Sequence, residues 1–182
     1  MIRLTPVVVL ALAAALPARS PAPVPPAPNP VVVLTTDRGT IEIELFQADA
    51  PKSVAHLVGL VQKNFYRGLR FHRVTDSLVQ VGDPQTRNMM LENAWGTMNS
   101  GSPIGVAEIS KTRKHVRGSV GLAYAGAPEY ADSQFYIMKV ASPSLDGKYA
   151  IVGQVVSGLS VVDALRKADV LKLATLKGAG PK

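Results

Sequence analysis

Apolar and polar residues alternate along much of this chain. In residues 31–45, VVVLTT and TIEIEL flank Asp37, Arg38 and Gly39, with Ile41, Ile43 and Leu45 on one face and Glu42 and Glu44 on the other. That period of two predicts a half-buried β-hairpin. The period then changes. Pro51 suits the first turn of a helix, and Val54, Leu57, Val58 and Val61 recur at helical spacing through PKSVAHLVGLVQKN. Strand patterns return at Phe71–Val74, Leu78–Val81, Ser119–Ala123, Gln134–Met138 and Tyr149–Val156. A second helix is signalled over 157–168, where Val161, Val162 and Leu165 share a face. Many short strands with two helices and no internal repeat point to a mainly β fold closed into a capped barrel.

The N-terminus follows different rules. Met1, Ile2 and Arg3 make a short basic start, and Leu4 to Leu16 is apolar except for Thr5, with Pro6 near its beginning. This is the layout of a secretory signal peptide, assigned to residues 1–18. The run is short for a membrane helix, which needs roughly 20 residues; a permanent N-terminal anchor is the rival reading. Residues 19–30 form a Pro-rich disordered linker, since seven of the chain's fourteen prolines lie between Pro17 and Pro30. The folded domain is then 31–177, followed by a flexible tail, 178–182. A periplasmic or secreted location follows, with no stable membrane insertion once the signal is removed. The absence of cysteine is compatible with an oxidising compartment.

The chain has 182 residues and a formal charge of +7, which raises the question of nucleic acid. Its densest basic cluster, KTRKHVR at 111–117, has no interleaved aromatic and reads as a solvated loop. Nucleic acid is therefore not an expected partner. The three histidines, at 56, 72 and 115, lie on different elements and none is at metal-ligand spacing, so no metal site is assigned. No nucleophile elbow, phosphate-binding loop or dinucleotide fingerprint occurs, and no cofactor is implied.

What remains is the order of three segments: FHRVTDSLVQVGD at 71–83, RGSVGLAYAGAPEYADSQFYIMK at 117–139 and LDGKYAIVGQVVSGLSVVDAL at 145–165. Together they resemble the cyclophilin family of peptidyl-prolyl cis-trans isomerases. The resemblance runs from about Val31 to Asp169 and is to the bacterial secreted branch; the stretch at 90–108 also resembles the Trp-Gly-Thr segment of some proteobacterial members, its alternative being a poorly ordered loop. It implies a closed eight-stranded antiparallel barrel capped by two α-helices. It also implies a monomer acting on proline-containing segments of unfolded or folding secreted proteins.

The same resemblance implies residue roles. Arg73 would be the catalytic group, its guanidinium approaching the prolyl nitrogen in a shallow groove, with Gln80 as its anchor. Tyr136 would wall the proline ring, Gln134 would contact the substrate backbone, and Ala123 and Leu145 would be apolar pocket positions. Leu78 and Val79 fall where the family has an aromatic and an aliphatic residue. Tyr124 and Tyr149 replace the family's Asn and His; the Tyr124 contact belongs to its backbone N–H. Ser144 stands where cyclosporin-sensitive members carry Trp. The Arg73-to-Gln80 segment is one residue shorter than the family pattern, so whether the two residues still meet is open. Alternatives are a proline-peptide binding module with little turnover and, for Arg73 alone, a strand arginine reaching to water.

Overall fold

The computed structural model describes residues 28–178. The stretch expected to be a signal peptide (1–18), positions 19–27 of the expected linker and positions 179–182 of the expected tail lie outside the described residues. Nine strands make one antiparallel sheet: β1 (Val31–Thr36), β2 (Gly39–Leu45), β3 (Leu69–Arg70), β4 (Arg73–Val74), β5 (Leu78–Val81), β6 (Ser119–Leu122), β7 (Phe135–Met138), β8 (Ile151–Ser157) and β9 (Val170–Leu176). Their spatial order is β3-β9-β1-β2-β8-β6-β7-β5-β4. The sheet curls, and its two edge strands, β3 and β4, are consecutive in the chain with only Phe71 and His72 between them.

Nine strands in linear order differ from the expected eight in a ring, and hydrogen bonding explains why. The expected strand Phe71–Val74 divides. Phe71 exchanges backbone bonds with the 168–169 segment, its N–H donating to Asp169 at 3.0 Å and its carbonyl accepting from Ala168 at 2.9 Å. Arg73 and Val74 pair instead with Gln80 and Val79. Strands β3 and β9 were not foreseen.

The hairpin forms as its alternation requires, with Ile41, Ile43 and Leu45 buried. At its entrance the Pro30 carbonyl accepts from Leu45 N–H, and Asn29 donates to Glu44. These two residues, assigned to the linker, are thus attached to the domain. Helix α1 (Pro51–Gln62) starts at its proline and buries Val54, Leu57, Leu60 and Val61. Helix α2 (Leu159–Ala164) is only six residues long against the expected 157–168. It begins after Gly158, which holds the left-handed conformation (φ 88°), and ends where Leu165 turns extended. That turn buries Leu165 and brings Ala168 to Phe71.

Strand β7 positions the rest. Phe135 and Ile137 point into the main core, while Tyr136 and Met138 join Leu78 in a second, separate apolar cluster. Adjacent strand residues face opposite sides, so the second cluster lies on the sheet's outer face.

Candidate active site

One row of residues crosses four strands. Arg73 on β4 stands opposite Gln80 on β5, Gln80 opposite Tyr136 on β7, and Tyr136 opposite Gly121 on β6. Residues directly opposite in an antiparallel ladder share a face. Arg73, Gln80 and Tyr136 therefore all project outward beside the second cluster, where Ala123, Leu145 and Tyr149 pack against Leu78, Tyr136 and Met138.

The shortened turn does not disturb this register. Thr75 Oγ1 accepts from the N–H groups of Ser77 and Leu78, and Thr75 N–H donates to the Leu78 carbonyl at 2.9 Å. This side-chain cap closes a tight turn that leaves Arg73 facing Gln80.

Strand phase decides the fate of two apolar assignments. Leu78 has the parity of Gln80 and lies in the outer cluster. Val79 has the opposite parity, faces Val74 and Ile137, and is completely enclosed in the main core. Val79 is thus corrected from a groove residue to a barrel-core residue.

The polar positions also differ in detail from expectation. Gln80 donates its side-chain amide to Gln134 Oε1 at 2.9 Å, and among the described residues no side-chain hydrogen bond joins it to Arg73. Arg73 is exposed and, among the described residues, joins no side chain by a hydrogen bond or ion pair. Gln134 is buried, and its amide donates to the carbonyls of Gly96 at 3.0 Å and Met98 at 2.9 Å. It braces the neighbouring loop rather than presenting free polar atoms. Tyr124 donates its hydroxyl to the Lys148 carbonyl at 2.9 Å, and its ring tilts against Tyr149 at 4.8 Å between centroids. Its own N–H makes no hydrogen bond among the described residues.

Two buried aspartates, not singled out in the sequence, hold one bank of the site. Asp83 accepts from the backbone of Gln85, Gly96 and Met98. Asp132 accepts from Ser100, Gly101 and Ser102 and from His56. The loop 96–102 is therefore pinned at both ends. The signal available was a lone Asp just after a strand (Asp83) and another just before one (Asp132), patterns shared with countless turns. His72, next to Arg73, packs on Gly96 with neither ring nitrogen hydrogen-bonded among the described residues; burial pushes its pKa down, opposed by the charge of Asp83. Burial likewise pushes the Tyr136 phenol well above its ordinary value. The basic cluster at 111–117 is largely neutralised, Arg113 by Asp49, Lys114 by Asp146 and Arg117 by Asp163.

Comparison with known proteins identifies the family. The family described as "Cyclophilin type peptidyl-prolyl cis-trans isomerase/CLD" matches residues 31–177. The chain is a cyclophilin-type peptidyl-prolyl cis-trans isomerase. It is 37% identical over 142 residues to the peptidyl-prolyl cis-trans isomerase of Helicobacter pylori, covering 76% of this chain and 82% of that one. It is 39% identical over 150 residues to a probable peptidyl-prolyl cis-trans isomerase of Brucella suis, covering 80% and 76%. A Cryptosporidium parvum cyclophilin solved in the presence of the dipeptide Ala-Pro shares the fold. Its TM-score is 0.71 at 24% identity, covering 82% of this cyclophilin and 99% of that one. AquaCyp293 from Hirschia baltica superposes with a TM-score of 0.66 at 22% identity, covering 86% and 77%.

Proposed function

We propose that this isomerase turns X-Pro bonds of secreted, folding polypeptides in the outer-face groove, with Arg73 as its catalytic group. The observation that carries the reading is the row Arg73–Gln80–Tyr136 beside an apolar cluster distinct from the barrel core. The proline ring packs against Tyr136 among Leu78, Ala123, Leu145 and Tyr149. The free N–H of Tyr124 holds the carbonyl that precedes the proline.

The chemistry asked of Arg73 is small in atoms and large in effect. Amide resonance sets a rotation barrier of roughly 18–20 kcal/mol, and uncatalysed X-Pro isomerisation takes tens to hundreds of seconds. A hydrogen bond donated to the prolyl nitrogen favours the twisted state, in which the lone pair is localised there. No covalent bond forms and no proton need be transferred. A charge-assisted hydrogen bond contributes about 1.5–3 kcal/mol, roughly ten- to a hundredfold in rate, and the remainder comes from holding the amide in place. Arginine suits the task because its charge is permanent and its fork planar. With Gln80 engaged by Gln134, the substrate itself is what fixes the guanidinium.

The N-terminal pattern of residues 1–18 supports action outside the cytoplasm, and the family resemblance supports a monomer. The second reading is a proline-peptide binding module with little turnover, favoured by Arg73's lack of a side-chain tether. A protease-coupled isomerisation assay on an Ala-Pro tetrapeptide, run with wild type and Arg73→Ala beside a peptide-binding measurement, separates them. Fast wild type with slow variant supports catalysis; equal, slow rates with intact binding support the module.

A further inference from the structure

The groove's tyrosine is connected to a part of the molecule that the isomerisation chemistry does not use. His115, fully enclosed, places Nε2 at 2.8 Å from the Tyr136 hydroxyl and Nδ1 at 3.0 Å from Asp146 Oδ1. The same Asp146 oxygen accepts from His115 N–H at 2.8 Å, and the His115 carbonyl accepts from Ser142 N–H at 2.8 Å. The imidazole is nearly parallel to the Tyr136 ring, 18° between planes.

The direction of each bond follows from chemistry. Asp146 is an ionised acceptor, held below the usual carboxylate range first by the His115 backbone N–H and then by the ring. An ionised carboxylate cannot donate, so Nδ1 carries the imidazole proton. Nε2 is then an acceptor in the neutral ring, and the Tyr136 O–H donates to it. The hydroxyl that distinguishes Tyr136 from the family's phenylalanine is thereby turned back over Gly121, away from the groove. Leu145 immediately precedes Asp146, and the turn carrying both is tied to His115 through Ser142 and Asp146. One histidine thus grips two walls of the groove.

We propose that His115 and Asp146 are positioning residues for catalysis: a Tyr136–His115–Asp146 relay that fixes the Tyr136 ring relative to the Leu145 turn. Neither His115 nor Asp146 touches the substrate; both act through Tyr136 and Leu145. The relay rests on the groove reading above.

The test combines histidine-nitrogen NMR with isomerisation kinetics on the full chain, using an Ala-Pro tetrapeptide and the variants Tyr136→Phe, Asp146→Asn and Arg73→Ala. In wild type, Nδ1 is expected to be protonated and Nε2 an unprotonated acceptor whose resonance moves when peptide binds. In Tyr136→Phe that movement is expected to vanish. Asp146→Asn is expected to raise KM about tenfold with a smaller change in kcat, within the loss that a misplacement of about 1 Å can cause. A protonated Nε2 in wild type overturns the relay whether or not any variant folds. So does a peptide-induced shift that persists in Tyr136→Phe, or an unchanged KM in folded Asp146→Asn. If Arg73→Ala abolishes turnover while these results fail, the relay alone falls. If Arg73→Ala leaves turnover intact, the groove reading falls and takes the relay with it.

Discussion

Tyr136 lies across the bare backbone of Gly121: a β-carbon there would come within 2.3 Å of the phenolic oxygen. Both residues sit at the same register position of β6 and β7. Gly121→Ala therefore forces the ring toward the groove or the strands apart. We expect a loss of about 1–3 kcal/mol in stability, the usual cost of overpacking, together with weakened peptide binding. Urea unfolding beside peptide titration checks both. A variant with native stability and affinity would show that the ring has room to move.

Asp132 ties the loop 100–102 and His56 to the barrel from a buried position. Asp132→Ala strands several donors at once, each costing about 1–3 kcal/mol when left unsatisfied. A stability loss of about 3 kcal/mol or more is expected in chemical denaturation. An amide hydrogen-exchange measurement should show Gly101 and Ser102 losing protection first.

Acid should unfold the protein partly through Asp169. Its carboxyl is held below the usual value, first by the hydrogen bond from Arg38 and further by the Arg166 N–H, against some burial. A carboxyl lowered in the folded state adds stability above its unfolded pKa near 4 and loses it as pH falls through the folded value. Stability measured by denaturant titration should thus hold down to about pH 4 and fall below it. Asp169→Asn should be less stable at neutral pH and show a shallower acid decline. Parallel declines in both proteins would remove Asp169 from the account.

Cyclosporin should inhibit weakly. Ser144, where sensitive relatives carry Trp, is exposed on the Pro143–Leu145 turn and offers no indole to an apolar macrocycle. Inhibition titrations of the peptide assay would contradict this if they gave low-nanomolar potency. Ser144→Trp should strengthen inhibition.

Much of this was legible in the sequence because local periodicity is dictated by side-chain geometry. The hairpin of Ile41, Ile43 and Leu45 and helix α1 follow from period alone, whereas the meeting of Arg73 and Gln80 across the short turn was left open. The phase of Leu78 against Val79 was not legible, since a one-residue change in turn length reverses which residue faces out. Helix α2 ends early because the Leu165 side chain and the Ala168 N–H are satisfied by distant partners, which no helical pattern records. The roles of Gln134, Asp132 and His115 depend on contacts across tens of residues, and that of Asp83 on partners 13 and 15 residues away. The overlooked strand β9 buries only Leu171 and Ala174 of its seven residues, so its alternation was weak.

The central claim is that Arg73 lowers the rotation barrier of a bound X-Pro bond rather than merely helping the peptide to bind. NMR exchange spectroscopy on a saturating Ala-Pro tetrapeptide measures cis–trans interconversion on the protein itself, apart from affinity. For Arg73→Ala the on-enzyme exchange rate is expected to fall about a hundredfold, the scale for removing one preorganised donor, while peptide still occupies the groove. On-enzyme exchange as fast in Arg73→Ala as in wild type would contradict it.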